Sequence, residues 1–339
     1  MLKKYIGICL GVLAACCISI AANASELSVS VACDASPDSV TGIICDTFKK
    51  LVEEKSGGSI SVDVYPSAQL GSDREVMESL RSGEIEFTAM TAAPQTTDVP
   101  ALNVFDMFCA FENVEVARKA VDDVDFRRIL LDRYHKAGIH LLFISDQSFR
   151  ETSSNKPVRG MGDFKGLNIR TMENPIHIAF WRALGANPTP MSRGEVFLSL
   201  QQGLLDAQED PYISTYLYNY AEVQKYIIDT HHLFHSITFI TNKDFWDDLT
   251  DEQRTVFQEA GDEVLAFSRE LASKTTAEYR QKLIDDGVEA IVLPDAVLAE
   301  MRKVAEEKVW PMAQKSAKDD EIVKAFKAAT EKARAATQR

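Results

Sequence analysis

Two arginines carry the clearest chemistry in this sequence. Arg150 follows the segment FISDQSF, read as a strand running into a loop, and Arg170 ends the short strand LNIR. Both fall at the carboxyl ends of expected strands, where open α/β sheets leave a crevice for ligands. A guanidinium presents a planar fork of N–H donors that matches a carboxylate through two parallel hydrogen bonds. Arginines so placed point to recognition of a small acid. The plainer alternative, a structural salt bridge, is what spacing alone favours for any single one of them.

Catalytic motifs are missing. The chain has no Walker loop, no G-x-G-x-x-G, no G-x-S-x-G, and no hydroxyl or thiol standing in a nucleophile turn. Of six histidines only His231, His232 and His235 cluster. His231 and His235 have an i, i+4 spacing that could hold a metal on a helix. Their segment, DTHHLFHSITF, reads instead as strand and turn and brings no carboxylate at ligand spacing. The expectation is therefore a binding protein that is not an enzyme, with no catalytic residue, no metal and no cofactor.

The elements that must hold those arginines alternate between strand and helix. Leu27–Ala32 has period two; Pro37-Asp38-Ser39 opens a helix to about Lys55; Ser59–Tyr65 alternates again. Ser72 caps a helix to about Ser82, before the strand Ile85–Thr91. Asn113–Ala137 reads as one helix and Ile139–Ile144 as an apolar strand. A second block repeats the scheme: strand Asn168–Thr171, helix Pro175–Leu184, strand Asn187–Met191, helix Glu195–Gln202 and strand Ala207–Asp210. Lys225–Thr230 and Ile237–Asn242 read as two further strands. Strand–helix–strand units of this length predict parallel strands with helices on both faces. Asp251 to about Asp286 has helical periodicity with no Pro and one Gly, Gly261. Such a helix spans about 54 Å, longer than one small domain, and so predicts a brace across two of them. Ala290–Val292 is a short strand, and charged amphipathic helix runs from Asp295 to the end. The expectation is an α/β chain of two lobes, with the ligand in the cleft between them.

The amino terminus reads as a leader. Lys3 and Lys4 precede an uncharged apolar run from Tyr5 to Ile20, and Ala22-Asn23-Ala24 is a small-residue cleavage signal. Residues 1–24 are thus a signal peptide, cleaved after Ala24. A second reading takes Leu13-Ala14-Ala15-Cys16 as a lipoprotein box with a lipid on Cys16. The formal net charge of −14 disfavours nucleic acid and anionic membrane surfaces as partners, so an acidic ligand has to be held by local arginine and not by the global field. Cys33, Cys45 and Cys109 lie beyond the leader. Cys33 and Cys45 either pair in an oxidising compartment or stay as buried thiols.

A family signature emerges from these segments together. PSAQLGSDREVMESLRSGEIEF, then DFKGLNIR, then LGANPTPMSRGEVFLSLQQGLLDAQEDP, in this order and spacing, resembles the substrate-binding subunits of tripartite ATP-independent periplasmic (TRAP) transporters, the DctP-type family. The similarity runs from Leu27 to the C-terminal helices. It implies a two-lobed periplasmic binding protein fold with hinge strands and a long helix spanning both lobes. The division expected is 25–147 plus 236–275 for lobe I and 148–235 plus 276–339 for lobe II. It also implies a monomer in the periplasm that hands a small organic anion to TRAP membrane permease subunits.

The resemblance assigns residues. The arginine of K-G-L-x-I-R, here Arg170, holds the ligand carboxylate, and the arginine after the preceding strand, here Arg150, also reaches the ligand. Two positions depart from the family. Asp210 stands where an Asn usually follows Q-E, and Arg193 stands where an aromatic residue usually packs on the ligand. Arg193 and Asp210 either pair with each other or meet polar ligand groups; both readings stay open, and either one disfavours a plain apolar monocarboxylate. Glu173 is expected to accept ligand hydroxyls or orient Arg170. Asp73 and Thr91 are expected to face the cleft, although Asp73 also suits a helix N-terminus on dipole grounds. Tyr212 is expected either to cover the ligand or to sit in the core. The sialic-acid branch has a Glu at the place of Thr91 and an Arg at Pro94, so sialic acid is not expected. Sugar acids and hydroxy acids fit best; a C4-dicarboxylate, a small sulfonate, or a role presenting ligand to a sensor are the alternatives.

Overall fold

The structure, a computed structural model, describes residues 27–337. The leader reading, with cleavage after Ala24 or lipidation at Cys16, lies outside the described residues.

The chain begins with β1 (Leu27–Ala32), α1 (Val40–Lys55), β2 (Ile60–Tyr65), α2 (Asp73–Ser82) and β3 (Phe87–Thr91). Strands β2, β1 and β3 are parallel neighbours, as strand–helix–strand connections require. Two 3-10 turns over 93–106 lead to α3 (Val114–Val121) and α4 (Val124–Lys136). The single helix expected here is broken because the Asp123 carboxylate accepts from the backbone N–H groups of Asp125 and Phe126, starting a new helix. After β4 (Ile139–Ser154), the second block contributes β5 (Asn168–Thr171), α5 (Pro175–Ala183), β6 (Asn187–Pro190), α6 (Arg193–Gln201) and β7 (Ala207–Asp210). Then come α7 (Tyr212–Leu217), β8 (Tyr226–Asn242), α8 (Lys243–Asp248), α9 (Asp251–Asp285) and β9 (Glu289–Val292). The chain finishes with α10 (Asp295–Val304), a π-helical turn at Ala305–Val309, α11 (Trp310–Ala317) and α12 (Asp320–Thr337).

One sheet holds everything in the order β2-β1-β3-β8-β4-β7-β5-β6, with β9 on β8. The outer strands are parallel within each block, but the central pairings β3–β8, β8–β4 and β4–β7 are antiparallel. The all-parallel expectation fails at the centre because β4 and β8 are far longer than the sequence pattern suggested. Residues 145–154 and 231–236, read as loop and turn, are strand. The alternation of apolar and polar residues is lost there because nearly every side chain on both faces is buried. The two strands therefore run through both blocks, and the ladder slips between Leu141 and Phe143, between Asp146 and Phe149, and between Arg150 and Thr152. Ser148 and His231 take positive φ (66° and 43°) at these irregularities. Such bulges bend a strand locally, so the junction between the lobes is the place where the sheet turns.

Helix α9 packs on α1, β4 and α7, crossing both blocks as a brace. Gly261 marks its closest approach: a Cβ there would lie 3.2 Å from Leu142 and 3.3 Å from Phe143. The first lobe is packed around Phe48, Phe87, Phe239 and Phe257, with Phe48 and Phe239 centroids 4.4 Å apart. Burial of each such ring contributes about 1.5–3 kcal/mol. The terminal segment, expected with lobe II, touches both blocks: the π-helical turn packs on α5, and α12 packs on α3 and α4. Cys33 and Cys45 are buried free thiols, not a disulfide. No helix among the described residues is long and apolar enough to cross a membrane.

Replacing Gly261 by Leu should overpack the contact between α9 and β4 and cost about 1–3 kcal/mol, read as a lower thermal midpoint. An unchanged midpoint would show that the helix can shift freely. A second expectation concerns His140, stacked on Trp246 at 4.0 Å with a buried Nε2 that has no partner among the described residues. Burial, then repulsion from His135, lowers its pKa from 6.5 to about 4. Its contribution to stability is present above the ordinary value of 6.5 and is lost as pH falls toward 4. His140→Phe should keep the stacking and lessen the drop in midpoint between pH 7 and pH 4.5; an equal drop in both proteins contradicts this.

Candidate functional site

A cleft of about 560 Å³ opens between the two blocks at the carboxyl ends of their parallel strands. Asp34, Asp73 and Thr91 line it from the first block, and Arg170, Glu173 and Arg193 from the second.

Two helices open into it by the same device. The Ser72 backbone N–H and hydroxyl both donate to the Glu75 carboxylate, each at 2.8 Å. Ser192 does the same to Glu195 at 3.2 and 2.7 Å. Each S-x-x-E box fixes a helix start, so the next residue, Asp73 on α2 and Arg193 on α6, sits at the helix mouth beside the cleft. Asp73 is favoured there by the helix dipole and Arg193 is disfavoured, so the arginine needs nearby acids. It has them. Its Nε donates to Asp34 at 3.2 Å, across the cleft from the other block. Its Nη1 lies 3.9 Å from Asp210, and its guanidinium sits 4.9 Å from the centre of the Tyr218 ring. The two readings of Arg193 and Asp210 thus meet a third partner, Asp34, which is nearer than Asp210.

Arg170 lies in β5, held by parallel pairing to β6. It is 4% exposed, and its Nε and Nη2 donate to the Met191 carbonyl at 3.1 and 2.9 Å. Among the described residues no carboxylate stands within ion-pair distance of it. Burial lowers its pKa, and the nearby Asp210 only partly counters this. A guanidinium buried against a cleft without a paired anion is a costly arrangement that an anionic ligand relieves.

Arg150 is elsewhere. It lies inside β4, fully buried, and does not line the cleft. Its Nε and Nη2 donate to the Glu209 carboxylate, and Nη2 also donates to the Glu209 carbonyl. Its Nη1 donates to His235 Nδ1 at 2.8 Å and lies 3.2 Å from Asp210. Burial works against the charge on Glu209, but Arg150 and His232 more than offset it and hold the carboxyl well below its usual range. Burial, then Arg150, pushes His235 well below its ordinary value, so it is neutral and its Nδ1 can accept. Burial likewise lowers His232, which donates from Nε2 to Glu209 at 3.0 Å. Arg150, expected to reach the ligand directly, thus lies in the continuing strand behind the cleft lining, engaged by Glu209, His235 and Asp210.

The remaining expected residues divide. Thr91 is buried at the cleft, with its hydroxyl 3.9 Å from Met172 Sδ of the second block. Glu173 is exposed on its rim. Asp73 makes no hydrogen bond or ion pair among the described residues; burial in the cleft and then Asp34 push its carboxyl well above its ordinary value. Asp210 is fully buried behind the lining and accepts no hydrogen bond among the described residues. Tyr212 does not cover the cleft, because its hydroxyl donates to Asp229, which also accepts from Arg280 at 2.8 Å. His231 donates its backbone N–H to Glu151 at 2.8 Å, at the bend of β8. Among the described residues no group of three or more His, Cys, Asp or Glu could hold a metal ion.

Sequence reasoning missed Asp34 and the aromatic wall of Phe197, Tyr218 and Tyr220. Asp34 was findable, since it follows the carboxyl end of β1 just as Arg170 ends β5. Near Arg193, which replaces the family's aromatic residue, the cleft is lined by Phe197, one turn further along α6, and by the two tyrosines after α7. Glu209→Gln should strip buried Arg150 of the nearer of its two counter-charges, leaving only Asp210 at 3.2 Å, and destabilise the fold by about 3–5 kcal/mol. Urea unfolding checks this; a loss under 1 kcal/mol contradicts it.

Residues 31–316 match the DctP family, described as bacterial extracellular solute-binding protein, family 7. A solute-binding protein of Verminephrobacter eiseniae is 33% identical over 267 residues, covering 77% of this chain and 79% of the relative. The C4-dicarboxylate-binding periplasmic protein DctP of Rhodobacter capsulatus is 30% identical over 316 residues, covering 92% and 94%. Among solved structures, the sugar acid binding protein DctPAm of Advenella mimigardefordensis, in complex with galactonate, superimposes with a TM-score of 0.85 at 25% identity, covering 90% of this chain and 98% of that one.

Proposed function

We propose that this chain, which belongs to the DctP family of bacterial extracellular solute-binding proteins, captures a small organic acid anion in its cleft for delivery to the TRAP membrane permease. It is a transport protein and not an enzyme. One observation carries the ligand class: Arg170 lies buried at the cleft with its charge unpaired by any described carboxylate. The ligand carboxylate docks on Arg170. The lobes then close about the bends of β4 and β8, which supports placing the hinge near residues 147/148 and 235/236. Closure excludes water, so the charge-assisted bonds act at lower dielectric and specificity is set in the closed form. Ligand must bind the closed form better than the open one to shift that equilibrium.

Glu173, Asp73 and Thr91 supply acceptors for hydroxyls further along the ligand, and Phe197, Tyr218 and Tyr220 pack on its carbon skeleton. Asp210 acts from behind as the electrostatic support of Arg193 and Arg170, and Arg150 holds Glu209 and Asp210 in place there. A sugar acid or hydroxy acid fits this mixture. The relatives span it: one is named for C4-dicarboxylates and one holds galactonate. Another relative, in Escherichia coli, is named for 2,3-diketo-L-gulonate. Export to the periplasm with cleavage after Ala24, and action as a monomer, complete the reading.

A thermal-shift screen of an organic-acid library should give a rise in midpoint for at least one such acid, since ligand at 100 times Kd adds about 2.7 kcal/mol. For that acid, Arg170→Lys keeps the charge but loses the fork, and should weaken binding by about 10- to 100-fold in calorimetry. Unchanged affinity in a folded Arg170→Lys protein would remove the carboxylate clamp.

A further inference from the structure

The cleft holds three guanidinium groups, and they are not equivalent. Arg74 is exposed on α2 at the rim, where water competes for it. Arg170 is buried with no carboxylate partner among the described residues. Arg193 is already engaged across the cleft by Asp34, with side chains only 15% and 17% exposed. The same crossing carries a second link, the Ser36 backbone N–H donating to the Tyr218 hydroxyl at 3.3 Å. Beside this pair stands Asp73, an acid with no partner of its own among the described residues.

We propose that Asp34, by occupying Arg193, sets the charge of the ligand at one carboxylate, so that the site selects a hydroxylated monocarboxylate over the matching dicarboxylate. This rests on the reading of Arg170 as the carboxylate anchor. A second ligand carboxylate needs a second buried guanidinium. To reach Arg193 it must either displace Asp34, leaving that acid largely buried and unpaired next to Asp73, or share the guanidinium at Nη1 and Nη2 and stand against the carboxylates of Asp34 and Asp210. Like charges that close disfavour one another, and a largely buried acid without a partner carries a desolvation penalty. A hydroxyl in the same place meets no such opposition, because Asp34 and Asp73 are both acceptors. Arg193 is then a specificity-determining residue through its partner, and not a second anion anchor.

The test is calorimetry with acids matched in skeleton and differing in one terminal carboxylate: 2,4-dihydroxybutyrate against malate, gluconate against glucarate, galactonate against galactarate. In the native protein the bound monoacid should outcompete its diacid by at least tenfold. Asp34→Asn frees Arg193 and should cut that preference at least tenfold, chiefly by improving the diacid. Arg193→Gln, which removes the guanidinium itself, should not improve the diacid. Thermal midpoints without ligand confirm that both variants fold, and should either fail, the native ratio together with the other variant still decides. Equal affinity of the native protein for both members of a pair overturns the proposal, as does an unchanged ratio in Asp34→Asn. If no acid binds at all, the carboxylate reading of the cleft falls and this proposal falls with it. If monoacids bind through Arg170 but the ratio ignores Asp34, only this proposal is lost.

Discussion

Charge in a dry place is the constraint from which this architecture follows. Arg150, Arg170 and Arg193 converge within one region of low solvent access, and a guanidinium there demands acids or backbone oxygens. Glu209, Asp210 and Asp34 meet most of that demand. They do so unevenly: Arg150 is saturated by Glu209 and His235, Arg193 is shared between Asp34 and Asp210, and Arg170 has only a peptide carbonyl. The uneven distribution makes a binding site of what would otherwise be a structural network. A fully satisfied cluster rigidifies, and a cluster lacking one anion attracts one.

The sheet is built to bring these groups together from two blocks. Among the strands of the described residues only β4 and β8 run through both blocks, and their pairing is irregular where Ser148 and His231 take left-handed conformations. Arg150 lies two residues past one bend, Glu209 on the neighbouring strand β7, and His235 past the other. The interior end of the charge network thus sits at the junction, while its outer end, Arg193 and Asp34, spans the cleft. Position of the lobes and electrostatic state of the site are coupled by construction, since Asp34 and Arg193 are carried by different blocks.

Much of this was legible in the residues. Period-two runs marked β1 and β2, the Ser72 cap located one cleft helix, and the Pro-free helical pattern from Asp251 found the brace. The fork of Arg170 at an expected strand's carboxyl end, together with the K-G-L-x-I-R motif, nominated it. Other features were not legible. The helix break at Asp123 depends on a cap that looks like one more surface acid. The central strands were cut short because alternation disappears when both faces of a strand are covered, so FISDQSF resembled a loop. For the same reason Arg150 looked like a residue at the end of a strand, although it lies inside β4.

Sequence by itself determined the family, the α/β order of the elements and the residue type that recognises the ligand, because these depend on local pattern and on the chemistry of single side chains. Tertiary structure alone decided which guanidinium is free. That outcome depends on partners such as Asp34 and Arg193, 159 positions apart along the chain. Pairing energy falls steeply with distance and with solvent, and neither quantity is written in the order of residues.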